Sequence, residues 1–313
     1  MTTRYLFEEC QPEWGLPAAS RRLMNLTNEE KGLIDFREKQ GLPPDQVEQL
    51  RRSLEVTKTE VRLDQKAFNW IIDQRLRFLE EHRRRYDLYC CQPDRPEPSI
   101  GFTEGSTFVE AGWVPIESSQ KENYYHFSSE SGELMGLVGL HVSLKLVSNW
   151  LWVTWEHVDN PQRFAYQLMQ DDLEDDARRE IFVAYDMCDR DPAQPCLWMN
   201  YALNGLQTAF MDGQGRPVLL SNSVFETSNP ESSCMSCHAR SSIGSGDRRI
   251  DLFGLDAVGP PSPEWFDRAP LPDRPFLQLD FVNSLANARP CKEICKEQPE
   301  HCLNFVEDPD NGR

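Results

Sequence analysis

The chain has 313 residues, of which 39% are hydrophobic and 27% charged, a globular composition that excludes a collagen-like or wholly disordered protein. No apolar run reaches the roughly 18 to 20 residues that cross a bilayer; the most apolar stretch, Leu134 to Trp155, is interrupted by Ser143, Lys145, Ser148 and Asn149. A net charge of −18 argues against nucleic acid as a partner, which asks for a basic footprint, and favours basic or neutral partners.

The first hundred residues read as helical. Thr27-Asn-Glu-Glu30 fits a capping box, and the helix it opens should stop at Gly41, before Pro43 and Pro44. A second helix is expected from Pro44 to Val56. A third follows Asp64, with Phe68, Ile71, Ile72, Leu76 and Leu79 on one apolar face and a charged, solvated end from Glu80 to Arg85. Gln92 to Ser99 holds three prolines and reads as a loop. Beyond it the period falls to two. Strands are expected at Thr107–Val114, Leu137–Val147, Trp150–His157, Glu180–Tyr185, Leu203–Phe210 and Val218–Phe225. A charged helical insert covers Asp171–Arg179, a turn Asp212–Gly215, a proline-rich irregular stretch Gly259–Pro275 and a last helix Leu279–Ala288. No internal repeat is present.

These elements make an α+β protein, with N-terminal helices packed on a mainly antiparallel β-sheet and a C-terminal segment that carries the motif described next. The organisation divides into a helical region 1–92, a mainly β region 93–228, and an attachment segment with a Cys-rich tail, 229–313, integrated with the β region.

That motif is Ser232-Ser-Cys-Met-Ser-Cys-His-Ala239. Cys-x-x-Cys-His is the attachment sequence for c-type haem, so the C-terminal segment is expected to be haem-binding. Two thiols on one helical turn, Cys234 and Cys237, reach the two vinyl groups of one porphyrin, and His238 then presents its imidazole to the iron from the same side. A thioredoxin-like dithiol would need a strand directly before the motif and a helix after it. Here Asn229-Pro-Glu precedes and Ser241-Ser-Ile-Gly-Ser-Gly-Asp247 follows. Half of a zinc site would need a second Cys/His pair, and Cys291-x-x-x-Cys295 is a candidate.

The sixth iron ligand stays open. No Met follows Met235, so a distal Met would come from Met135, Met169, Met187, Met199 or Met211. The His candidates are His126, His141 and His157, whereas His82 on a charged helix end and His301 in the tail are poor ones. A two-residue turn at Ser148-Asn149 would pair Val147 with Trp150. One face would then carry Leu140, Val142, Leu144 and Leu146 with Leu151, Val153, Trp155 and His157, packing on the core or on porphyrin. The other would set His141 opposite Glu156, a candidate acid/base pair. His157 and Trp155 are thus candidates for cofactor contact, His157 or His141 for distal ligation, and His141 with Glu156 for catalysis; ordinary core and surface roles remain the alternative for each.

Eight cysteines remain of the ten: Cys10, Cys90, Cys91, Cys188, Cys196, Cys291, Cys295 and Cys302. They suffice for up to four disulfides in an oxidising compartment. The N-terminus, Met1-Thr-Thr-Arg-Tyr-Leu-Phe-Glu-Glu, shows no secretory leader. A removed leader is expected, with a periplasmic or otherwise exported location.

Four segments together resemble a group of bacterial monohaem c-type cytochrome proteins larger than ordinary cytochromes c. They are Ala67-Phe-Asn-Trp-Ile-Ile72, Gly139-Leu-His-Val142 with Trp150 to Asn160, the Ser232–His238 motif, and Leu279-Asp-Phe-Val-Asn-Ser-Leu285. The resemblance implies an exported protein with one covalent haem on Cys234, Cys237 and His238, and makes His141, Glu156 and His157 pocket candidates; it brings no established reaction. Electron transfer with a basic or neutral redox partner is the leading expectation. The alternative is a haem enzyme with an open iron site, peroxidase- or oxygenase-like, acting on a small molecule, or a diatomic-gas sensor; the size of the β region favours it.

Overall fold

The computed structural model describes residues 58–91, 100–129, 131–160, 175–184, 186–226, 231–250, 258–266 and 276–290. The capping box at Thr27, the helix expected over Pro44–Val56, the loop Gln92–Ser99 and the cysteines of the tail lie outside the described residues. Within them, helices and a mainly antiparallel sheet give the expected α+β class.

Helix α1, Gln65–Asp73, starts where Asp64 caps it: the carboxylate accepts from the Ala67 N–H at 2.8 Å. The same oxygen accepts from Thr107 N at 3.2 Å and so fixes the helix start to the sheet. Ala67 and Ile71, four apart, are fully buried. The helix expected to continue to Arg85 breaks instead. Arg75 takes a left-handed φ of 55°, and Leu76 N bonds back to Ile71 O at 2.9 Å, which turns Leu76 into the core.

Helix α2, Leu79–Cys91, then starts afresh. Its beginning is not the solvated end that its charges suggested, because Glu81, His82 and Arg85 are buried. The charges satisfy one another: Glu81 accepts from Arg84 at 2.6 Å and from Arg85 at 2.7 Å, and Arg85 also reaches Gln74 Oε1 at 2.8 Å. Buried charge is tolerated when paired and hydrogen-bonded in this way.

The sheet contains β1 (Lys58–Leu63), β2 (Thr107–Pro115), β3 (His126–Ser128), β4 (Leu134–Leu144), β5 (Leu151–His157) and β6 (Tyr201–Gln207). Its order is β1-β2-β4-β5-β6, with β3 also on β4, and every pairing is antiparallel. Strand β1 was not among the expected strands. Glu180 to Ala184, expected extended, instead belongs to helix α3, Asp175–Ala184, which continues the charged helical pattern before it. Val218–Phe225 forms no strand and is held to the sheet by side chains, as described below. The last helix expected is replaced by a two-residue strand, β8 (Leu277–Gln278), which pairs with β7 (Ser242–Ile243). Left-handed φ values at Asp280 and Phe281, 46° and 67°, prevent a helix there, and a short 3₁₀ turn follows at Asn283–Asn287. The turn expected at Asp212–Gly215 is present, closed by Gly215 N on Asp212 O at 3.0 Å.

The β4–β5 register differs from the two-residue hairpin. His141 faces Thr154, Ser143 faces Trp152, and Glu156 faces Gly139. The shift is by two residues, so the same side chains share a face, but the connection lengthens. Trp150 leaves the strand at φ 62° and is buried among Phe102 and Phe108. Burying that indole outweighs the tight turn.

The larger core cluster draws on helices α1 and α2, on Phe108, Trp150 and Trp152, and on Cys234, Met235 and Leu285 from the C-terminal part. A smaller cluster, with Trp113, Met135 and Tyr201, takes in Leu140 and Trp155. The strand face read as apolar therefore covers the smaller cluster, while the face bearing Trp152, Thr154 and Glu156 is buried under the C-terminal segments. No helix among the described residues is long and apolar enough to cross a membrane.

His82 makes the helical layer sensitive to acid. It is fully buried, its Nε2 lies 2.6 Å from Leu76 O, and burial lowers its pKa to about 4. Between about pH 4 and 6.5 the unfolded chain binds a proton that the folded state excludes, so this contribution is whole above 6.5 and is lost as pH falls towards 4. His82→Gln is expected to flatten the stability-against-pH curve in that window by up to about tenfold in the folding equilibrium per pH unit. Urea denaturation at several pH values checks this, and an unchanged slope contradicts it.

Candidate functional site

The inward strand face is polar for a reason that starts at Glu156. Its carboxylate is completely buried. It accepts four hydrogen bonds: Asn204 Nδ2 at 2.5 Å, Ser223 N at 2.7 Å, Ser223 Oγ at 2.5 Å and Asn160 Nδ2 at 3.0 Å. Next to it, Asn222 donates to Thr154 Oγ1 at 2.6 Å and to the Trp155 carbonyl at 3.0 Å. These bonds hold residues 221–226 against the sheet. The paired glycines Gly112 and Gly139 make room for it. A Cβ on Gly139 would sit 2.8 Å from Val224 Cβ, and one on Gly112 2.5 Å from Val224 Cγ1.

The anchored segment carries the Cys-x-x-Cys-His element. Leu220 bridges to Ser233, and Cys234 N bonds to Leu220 O at 3.0 Å. Helix α4, Cys234–His238, is capped by Ser233, whose Oγ accepts from Ser236 N at 3.3 Å. Gln207 at the end of β6 donates to Ser233 Oγ at 2.9 Å and accepts from Met235 N at 3.2 Å. The sheet thus fixes the motif from its own polar side chains.

A second support comes from the chain after β8. His238 Nδ1 lies 2.7 Å from the Phe281 carbonyl. A carbonyl only accepts, so Nδ1 carries the proton and Nε2 keeps its lone pair. The left-handed pair Asp280–Phe281 aims that carbonyl. Asp280 is itself held by Lys145 Nζ and by Phe102 N, each at 2.6 Å. Burial raises the Asp280 carboxyl above its ordinary pKa, against the pull of these two donors. Phe281 and Lys145 thus serve the site, although sequence reasoning assigns neither to it.

Between the sheet and this segment lies a partly open, mainly apolar cavity. Phe108, Glu110, His141, Ser143 and Trp152 line the sheet wall; Cys234, His238, Phe281 and Ser284 line the other. The Trp152 ring lies 4.4 Å from that of His238, centroid to centroid.

Burial sets the charge state of the cavity. It lowers His238 to about 4, with the Phe281 bond opposing, and lowers His141 to about 3, with His238 adding to the effect. Both imidazoles are neutral at neutral pH. Burial also raises Glu226 to about 8 despite its bond from Asn222 N. The Cys234 thiol is raised well above its usual range, first by burial and then by Glu226. A redox dithiol needs a lowered thiol pKa, so this environment weighs against that alternative. Cys234 and Cys237 are not disulfide-bonded, whereas Cys188 pairs with Cys196 and Cys90 is also disulfide-bonded.

The candidate residues separate sharply. Cys234, His238 and His141 line one cavity, and Cys237 lies on the same helix turn. Glu156 is not beside His141; it is saturated by donors and acts as a structural anchor. The carboxyl near His141 is Glu226, with Oε2 3.7 Å from Nε2, a residue that no local sequence signal marked. His157 is away from the cavity with both ring nitrogens engaged. Nε2 donates to Asn123 O at 2.9 Å, Nδ1 accepts from Asp159 N at 3.1 Å, and the ring stacks on Tyr124. Trp155 packs on the smaller cluster, and Trp152 takes the place beside the motif. Among the described residues no group of three or more His, Cys, Asp or Glu side chains is placed to hold a bare metal ion. The Cys291/Cys295 pair lies outside the described residues. No family model, curated protein or solved structure matches the chain.

Two substitutions test this construction. Glu156→Ala leaves buried donors unpaired and is expected to cost at least about 3 kcal/mol of stability, read as a fall in the urea midpoint. Gly139→Ala forces a methyl against Val224 and is expected to cost about 1–3 kcal/mol. A wild-type melting curve for either variant contradicts the anchoring of residues 221–226.

Proposed function

We propose that this chain binds one haem c covalently through Cys234 and Cys237, with His238 as an axial iron ligand, and works as an electron carrier. One observation carries the reading. Two cysteines outside any disulfide and an imidazole share a single helix turn beside an apolar-walled cavity, and that imidazole is held by a backbone carbonyl at Nδ1 with Nε2 left as the lone-pair nitrogen. Metal-binding histidines are oriented by this kind of bond on the other ring nitrogen. A porphyrin brings four nitrogen ligands with it, so the absence of a three-residue metal cluster among the described residues is no obstacle.

The attachment chemistry balances. Each thiol adds across one vinyl group: a carbon–sulfur bond forms, the vinyl double bond is consumed, and the thiol hydrogen ends on the neighbouring carbon. When bound, the haem supplies a one-electron ferric–ferrous couple whose potential follows axial ligation and burial. The resemblance to large monohaem c-type cytochromes points the same way, as does the Cys188–Cys196 pair for an exported location. The acidic chain suits a basic or neutral redox partner.

The test is expression with an export leader in a host that matures c-type cytochromes. The wild type is expected to keep haem on a denaturing gel, to give a c-type pyridine haemochrome and to gain the mass of one macrocycle. Cys234→Ala with Cys237→Ala is expected to lose all haem stain under those conditions. A wild-type mass without the macrocycle, or zinc or a disulfide at these cysteines, defeats the proposal.

A further inference from the structure

We infer that His141 is the second axial ligand of the haem, so that the iron lies between two imidazoles, one from the sheet wall and one from the motif wall of the cavity. The inference rests on the haem reading above and adds a coordination state to it.

Four observations lead there. First, His141 and His238 line one cavity, His141 from β4 in the sheet and His238 from α4 in the segment packed on it. Second, His141 Nε2 is buried without a hydrogen-bond partner; Glu226 Oε2 at 3.7 Å is too distant to serve. A buried nitrogen left without a partner is destabilising, and coordination to a metal would supply one. Third, packing restricts the ring, since Phe225 lies 4.4 Å from it, centroid to centroid.

The fourth observation is the placement of the competing ligands. His157 has both nitrogens bonded. His82 lies under α2, its Nε2 taken by Leu76 O. His126 is on β3, with Nδ1 at 2.8 Å from Tyr124 O, and does not line the cavity. Among the described residues no methionine lines it either: Met135 is in the smaller core cluster, Met187 and Met211 are exposed, and Met199 lies in the 3₁₀ turn before β6, while Met169 is outside the described residues.

The experiment uses the mature full-length haem protein, with absorption and electron paramagnetic resonance spectra of the ferric form. Wild type is expected to be low-spin with a two-imidazole signature. His141→Ala is expected to lose that signature, become high-spin or water-ligated, bind added cyanide faster, and return to low spin when imidazole is added. His141→Met keeps a side chain of similar bulk, should fold where alanine does not, and is expected to exchange the two-imidazole signature for an iron–thioether one. His157→Gln is expected to keep the wild-type spectrum. A high-spin wild type, or a His141 variant that stays bis-imidazole, overturns the inference and indicates an open or differently filled iron site. Haem stain on a denaturing gel is read alongside: its absence in wild type would count against covalent attachment itself, and its presence with a high-spin spectrum against His141 alone.

Discussion

A single buried carboxylate organises this structure. Glu156 sits on a strand face that ordinary patterning would leave in water, yet it is completely buried and accepts four hydrogen bonds from three residues. A charge in that position is stable only while those donors are present. The donors belong to β6, to the end of β5 and to residues 221–226. Glu156 therefore ties an irregular segment to the sheet, and that segment leads into Ser233 and α4. The position of the Cys-x-x-Cys-His turn follows from a residue some eighty positions earlier in the sequence rather than from its own neighbours.

The same arrangement explains why the imidazoles of the site are neutral although the chain is strongly acidic. The cavity lies between two layers, where an unpaired charge is costly. Both of its imidazoles are driven towards the neutral form, and Glu226 towards the protonated one, with Glu110 on the cavity wall adding to the effect on Glu226. Neutral imidazole is the form that binds a metal. Lys145 and Asp280, nearby, are paired with each other and serve to aim the Phe281 carbonyl.

Much of this was legible in the chain and some was not. The motif, the capping Asp64, strands β2 and β5 and the turn at Asp212 follow from local chemistry and appear where spacing put them. The expected pair of His141 with Glu156 failed because the choice of turn was decided by burial of Trp150, a tertiary effect that no local turn rule contains. Burial of the polar β4–β5 face as well as the apolar one was missed for a related reason. Hydrophobicity marks Leu140, Val142 and Trp155 as interior, but Thr154 and Glu156 are buried by partners distant in sequence. Glu226 and Phe281 were invisible as site residues, since one acts through its surroundings and the other through a backbone carbonyl. The charged start of α2 read as solvated because its counter-charges, one turn apart, look the same on a surface as in a core.

The size of the protein has a physical meaning in this light. A short chain wrapped around a haem lets the segment near the motif set both sides of the iron. Here both walls depend on the sheet: the β ladder holds the side that carries His141, while Glu156, Gln207, Lys145 and Asp280 hold the side that carries His238. The gap between the imidazoles is then a property of the whole fold. Ligands oriented by such outer bonds resist displacement, and a site that is already organised has little to rearrange when charge changes. If the proposed haem is bound there, those qualities would suit an electron carrier better than an enzyme that must open a coordination position, and the six-stranded sheet would brace one of its ligands.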